Sequence, residues 1–107
     1  MARDYAATAG TLGEHLTSKI DRLEQLGEYV LAADFAWLQL ELRRRALGEN
    51  DPLIAESLDR CGVLLTLEGR SAPGVVILDH AYTMRSGLLG ADHEATIATL
   101  EHLASAE

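Results

Sequence analysis

The side chains able to do chemistry are few, and their spacing does not bring them together. Histidines stand at positions 15, 80, 93 and 102 and a single cysteine at 61, among 17 carboxylates spread along 107 residues. A metal ion needs ligands that converge, which a helix supplies as His-x-x-x-His and a loop as Cys-x-x-Cys. Neither pattern occurs, and Asp92-His93-Glu94 falls where a loop meets a helix start. Cys61 lies on an apolar stripe, where a free thiol acts as a small hydrophobe. Leu88-Leu89-Gly90-Ala91 follows no strand and has no glycine-rich cradle with a lysine, so it is not a phosphate site. The expectation is a protein with no catalytic residue, no metal and no cofactor, and not an enzyme.

Two other features bear on recognition. Arg43-Arg44-Arg45 is the densest charge run. It reads as a solvated helix end, where each cation gains about 0.3–1 kcal/mol from the macrodipole, or else as a contact for an acidic partner. Trp37 falls off the stripe formed by Leu31, Phe35, Leu38 and Leu42, and is expected to be an exposed interface anchor. Tyr5, Tyr29, Phe35 and Tyr82 are expected to pack internally.

Composition narrows the classes. A formal charge of -8 argues against nucleic acid, whose binding starts from a positive surface that displaces counterions, and against anionic membranes. The longest apolar runs are too short to cross a bilayer. The lone cysteine can form no internal disulfide, and Met1-Ala2-Arg3-Asp4-Tyr5 lacks the apolar segment of a secretory signal, so a reducing, cytosolic setting is expected. Two prolines and few aromatics among abundant Ala, Leu, Glu and Arg favour an all-α fold.

The elements recur with a 42-residue period. Gly27 aligns with Gly69, Arg43 with Arg85, Leu47-Gly48 with Leu89-Gly90, and Leu58 with Leu100. Each copy reads as helix, tight turn at glycine, second helix and longer loop. Gly48 and Gly90 suit helix ends, Asn50, Asp51 and Asp92 suit caps for the next helix, and Pro52 suits a first turn. Thr11 and Glu14 have capping-box spacing. Five helices are therefore predicted, from Thr11 to Leu26, Tyr29 to Ala46, Pro52 to Glu68, Ala72 to Leu88 and His93 to Ser105. Helical spacing selects Leu16, Ile20 and Leu23 as the core stripe of the first. It selects Leu31, Phe35, Leu38 and Leu42 in the second, and Ile54, Leu58, Cys61 and Leu65 in the third. Gly62 would let a paired helix approach closely, with Ala81 opposite.

The stretch Ile54-Ala55-Glu56-Ser57-Leu58-Asp59-Arg60-Cys61-Gly62-Val63-Leu64-Leu65, followed by Gly69 and by Leu89-Gly90-Ala91-Asp92-His93-Glu94-Ala95, resembles the tetratricopeptide repeats of the kinesin-light-chain type. The family's small-and-large pattern falls on Leu58, Cys61, Gly62, Leu65, Gly74, Leu78 and Ala81. The first copy departs from it at Lys19 and Gln39. Pro73-Gly74 replaces the usual Glu-Ala, and Asp59-Arg60 replaces a pair of asparagines. The resemblance implies an α-α superhelix of antiparallel helix pairs with about two and a half repeats. Its parts are a tail at 1–10, a degenerate repeat at 11–51, a central repeat at 52–92 and a half repeat at 93–107.

It also implies a protein–protein interaction module whose concave face is lined by the first helix of each repeat. The residues implied there include Glu14, Thr17, Ser18, Asp21, Glu24 and Gln25; Glu56, Asp59, Arg60, Val63, Thr66 and Leu67; and Ala98, Glu101, His102 and Ser105. Together with Trp37, the expected partner-binding residues are Asp21, Glu24, Glu56, Asp59, Arg60, Val63, Leu67, Glu101 and His102. The face is net acidic, so the partner is expected to be a basic or amphipathic protein segment held less tightly as salt rises. The alternative is a structural subunit that oligomerises or props up a catalytic or signalling component. Two and a half repeats leave the last helix uncovered, which a homo-oligomer through the terminal helices or a larger partner would remedy.

Overall fold

The computed structural model describes residues 2–107, with side chains from Thr11 onward. It holds five helices: α1 (Ala2–Gln25), α2 (Tyr29–Leu47), α3 (Pro52–Leu67), α4 (Ser71–Leu89) and α5 (Glu94–Ala106). No strand occurs among the described residues. The chain is all-α.

Local chemistry sets these boundaries, and it does so twice at the same spacing. After α1 the Gly27 N–H donates to Glu24 O (3.0 Å) and the Glu28 N–H to Leu23 O (2.9 Å). After α3, 42 residues on, Gly69 donates to Thr66 O (3.0 Å) and Arg70 to Leu65 O (2.8 Å). This paired closure is the Schellman motif, and it needs positive φ at the glycine, 78° at Gly27 and 92° at Gly69. The ends of α2 and α4 match likewise, Gly48 donating to Arg44 O and Gly90 to Ser86 O.

Starts also correspond. Asp51 Oδ1 accepts from the Leu53 N–H at 2.9 Å, and 42 residues later His93 Nδ1 accepts from the Ala95 N–H at 3.0 Å. His93, not Asp92, is thus the cap of α5. The Thr11/Glu14 capping box does not form, because α1 already begins at Ala2 and runs through it; residues 2–10, expected as a tail, open that helix. The packing expected of the Tyr5 side chain lies outside the described side chains.

Each helix packs on its neighbours in the chain, and α3 also touches α5. Three-residue turns between α1 and α2 and between α3 and α4 make these pairs antiparallel hairpins. The expected stripes of α1 (Leu16, Ile20, Leu23) and α3 (Ile54, Leu58, Cys61, Leu65) are buried. The stripe expected for α2 is not. Leu31 and Leu38 are 44% and 47% exposed, while Ala32, Ala33, Ala36, Gln39 and Leu40 are buried. Lying against both α1 and α3, α2 turns its small residues inward, where they allow close approach. Phe35, Leu42 and Trp37 are half-buried at the margin of the core. The buried Gln39 amide is satisfied, donating from Nε2 to Gly13 O (2.8 Å) and Thr17 Oγ1 (2.6 Å).

Between α3 and α4 the helices come close at Gly62, which faces Gly74 and Leu78, while Ala81, expected opposite it, is fully buried in the core. A Cβ at Gly62 would lie 2.6 Å from Leu78 Cγ and 3.1 Å from Gly74 O, and one at Gly74 2.6 Å from Thr66 Oγ1. Gly74 therefore serves contact, which offsets its weak helix propensity. Gly62→Ala is expected to lower unfolding free energy by about 1–2 kcal/mol in urea titration, overpacking outweighing the propensity gain. In a Leu78→Ala background the same change should cost less, since the atom it strikes is gone.

Among the described residues one buried hydroxyl has no partner. Thr96 Oγ1 is enclosed and unbonded, and 42 residues earlier the chain has the apolar Ile54. Thr96→Val keeps the shape and removes the unpaired group, so the midpoint of thermal unfolding should stay equal or rise; a fall would show that the hydroxyl is satisfied in solution.

Candidate functional site

Three helices that occupy the same place in successive copies meet at one groove. Asp21, Glu24 and Gln25 on α1, Asp59, Arg60 and Val63 on α3, and His102 on α5 line an open hollow of about 350 Å³. On α1 and on α3 these positions are one to four apart, so on each they share a face turned away from the core stripe.

Charge pairing across helices shapes this groove. The Arg60 guanidinium donates to Asp21 Oδ1, and its Nε lies 3.1 Å from Glu24 Oε1 without the alignment of a hydrogen bond. That joins α3 to α1. Asp59 Oδ1 accepts from His102 Nδ1 at 3.0 Å, which joins α3 to α5. A carboxylate only accepts, so this bond requires a proton on His102 Nδ1. The Asp59 side chain is 12% exposed and also lies 3.9 Å from Arg85 Nη1.

Arg85 reaches the site from behind, on α4, and was absent from the expected set. It donates to Ala95 O (3.1 Å) and Thr99 Oγ1 (2.8 Å). Arg43 on α2 makes the same pair of bonds 42 residues earlier, to Leu53 O (3.1 Å) and Ser57 Oγ (2.9 Å). Each arginine ties the helix it stands on to the first two turns of the next helix. Arg43 is therefore a part-buried tie and not the solvated charge its place in an arginine run suggested. The signal was available in the alignment of Arg43 with Arg85.

Six of the ten expected partner-binding residues line the groove: Asp21, Glu24, Asp59, Arg60, Val63 and His102. Glu56 lies beside it, lining a narrow cleft of about 90 Å³ with Thr17, Ile20, Gln39, Asp59 and Arg60, its carboxylate 3.8 Å from Arg43. Leu67 and Glu101 are exposed but outside the groove lining. Trp37 is not brought to it; its ring packs on the core from α2.

Three carboxylates face one arginine and one histidine, leaving an acidic hollow suited to a cation or to N–H donors. Among the described residues no three His, Cys, Asp or Glu side chains are grouped to hold a metal ion. No helix is long and apolar enough to cross a membrane.

The fold and groove together define an all-α protein of successive helical hairpins with an acidic hollow across its first-position helices. No protein-family model matches the chain, and no curated protein matches it.

Cys61 takes no part in the groove. It is fully buried, and loss of solvation pushes its thiol up to about 12, against the pull of Arg44 and Arg60. Raised in the folded state from 9.0, the thiol contributes stability below pH 9 that is lost as pH climbs toward 12, where the unfolded chain alone releases the proton. Unfolding free energy should fall over that range in the native chain and fall less in Cys61→Ala. A disulfide reagent at pH 8 should modify Cys61 only at the rate of unfolding.

Proposed function

We propose that this chain is a tetratricopeptide-like repeat module of the kinesin-light-chain type, two and a half repeats stacked as an α-α superhelix. In this reading it binds a basic or amphipathic segment of a partner protein in the acidic groove and catalyses no reaction. Support for the repeat comes from the 42-residue recurrence of both hairpin turns, both second-helix ends, both caps and both arginine ties. The observation that carries the binding reading is the convergence of α1, α3 and α5 on one hollow with a carboxylate excess. A lysine or arginine of the partner would compete with Arg60 for Asp21 and Glu24, both partly open to solvent. A cytosolic, reducing compartment belongs to the same reading, supported by the single buried thiol.

The pairing of the groove charges favours a second reading. Arg60 with α1 and Asp59 with α5 are also what a purely structural stack would use to hold its helices in register. The two readings part on the joint variant Asp21→Asn, Glu24→Gln. Binding of a fluorescein-labelled, 15-residue panel of arginine- and leucine-containing amphipathic peptides is read by anisotropy. For a recognition groove, affinity should fall at least ~10-fold in the variant and similarly when salt rises from about 50 to 300 mM. If no peptide of the panel saturates the native chain, and the variant loses only thermal stability, the structural reading stands.

A further inference from the structure

Helix α5 leaves open the face that its counterpart α3 keeps covered. Leu58 is 1% exposed and Leu100, 42 residues on, is 50% exposed; Ala55 is fully buried and Ile97 is 45% exposed. Gly62 is buried against α4, whereas Ala104 is exposed. The opposite face of α5 behaves differently. Thr96, Thr99 and Leu103 are buried, as are Ile54, Ser57 and Cys61, because α4 lies behind α5 as α2 lies behind α3. Helix α5 is thus packed on its preceding side and bare on its following side, where Ile97, Leu100 and Ala104 form one stripe at helical spacing.

The structure itself contains the object that fits such a stripe. On α3 it is a helix that presents Gly74 and Leu78 to Gly62. On α1 the equivalent of Gly62 is Ile20, and the equivalents on the covering helix are Ala32 and Ala36, all buried. Bulk on one helix is answered by small residues on the other. With a methyl at Ala104, the α2 pattern is the one that seats, small residues four apart.

Charge chooses between occupants. The open face of α5 is bordered by Glu94, Glu101 and Glu107, so two copies meeting through α5 would set carboxylates against carboxylates in a chain of net charge -8. We infer that α5 is a docking site for a basic amphipathic helix of a partner protein, which packs on Ile97, Leu100 and Ala104 as α2 packs on α1, with small residues at i and i+4 toward Ala104. This surface is separate from the groove, and neither proposal depends on the other.

The test uses the full chain and one defined probe, a labelled synthetic helix of the α2 sequence, residues 29–47, with the outward Leu31 and Leu38 replaced by lysine. The native chain should bind it saturably. Leu100→Asp should weaken binding at least ~10-fold, the loss expected on removing one leucine from a buried contact, with an unchanged circular-dichroism melt because Leu100 is half exposed. If that variant unfolds, Ala104→Arg, at an exposed position, should block the probe instead. Equal probe binding by the native and variant chains, or none by the native chain, overturns the inference. So does a native dimer in sedimentation equilibrium that Leu100→Asp dissociates, since the occupant would then be a second copy.

Discussion

Helix α3 can leave water only because helices lie on both of its flanks, and the remaining structure follows from that enclosure. Ile54, Ser57 and Cys61 on one side and Ala55, Leu58 and Gly62 on the other are all buried. A single hairpin could cover one of these faces, not both. The side left over carries Asp59, Arg60 and Val63, and it opens on the groove. Burial of two faces therefore dictates which third face is left toward the hollow.

Enclosure also explains the electrostatics. Charged groups set beside a buried helix lose hydration, and that loss is offset only when they find partners. Asp59 finds His102 and lies near Arg85, while Arg60 finds Asp21 and Glu24. These pairs cross from α3 to α1, α4 and α5, so they hold the walls of the groove at fixed separation. The same groups that join the helices give the hollow its acidic excess, so its charge is set by residues that also serve packing.

The two hairpins show that close packing conserves volume and not residue type. Ile20 shares its core cluster with Ala32 and Ala36, and Gly62 meets Leu78, so large and small exchange sides between the two hairpins. Ala104 is intermediate in size and is left open. A sequence comparison position by position scores these exchanges as mismatches, although the sum across each contact is maintained.

Period, helix class, hairpin turns and the cap at Asp51 were legible because each depends on residues within one turn of one another. Gly27 and Gly69 make their Schellman bonds whatever else the chain does, and Leu16, Ile20 and Leu23 lie on a helix with one apolar side. Asp21, Glu24, Asp59, Arg60, Val63 and His102, expected on one face from the resemblance, do line one hollow, which helical spacing within α1 and α3 already favours. Three assignments needed tertiary structure. Hydrophobicity pointed to the Leu31 and Leu38 side of α2, yet a helix held between two others buries whichever face lets them come closest, and there alanine outcompetes leucine. Arg43 looked like a solvated charge until the next hairpin brought Leu53 O and Ser57 to it. Trp37 looked free until the core margin reached it. Short-range order was written in neighbouring residues, whereas face selection and the fate of each charge were set by helices distant in sequence, because burial is decided by what arrives on the other side.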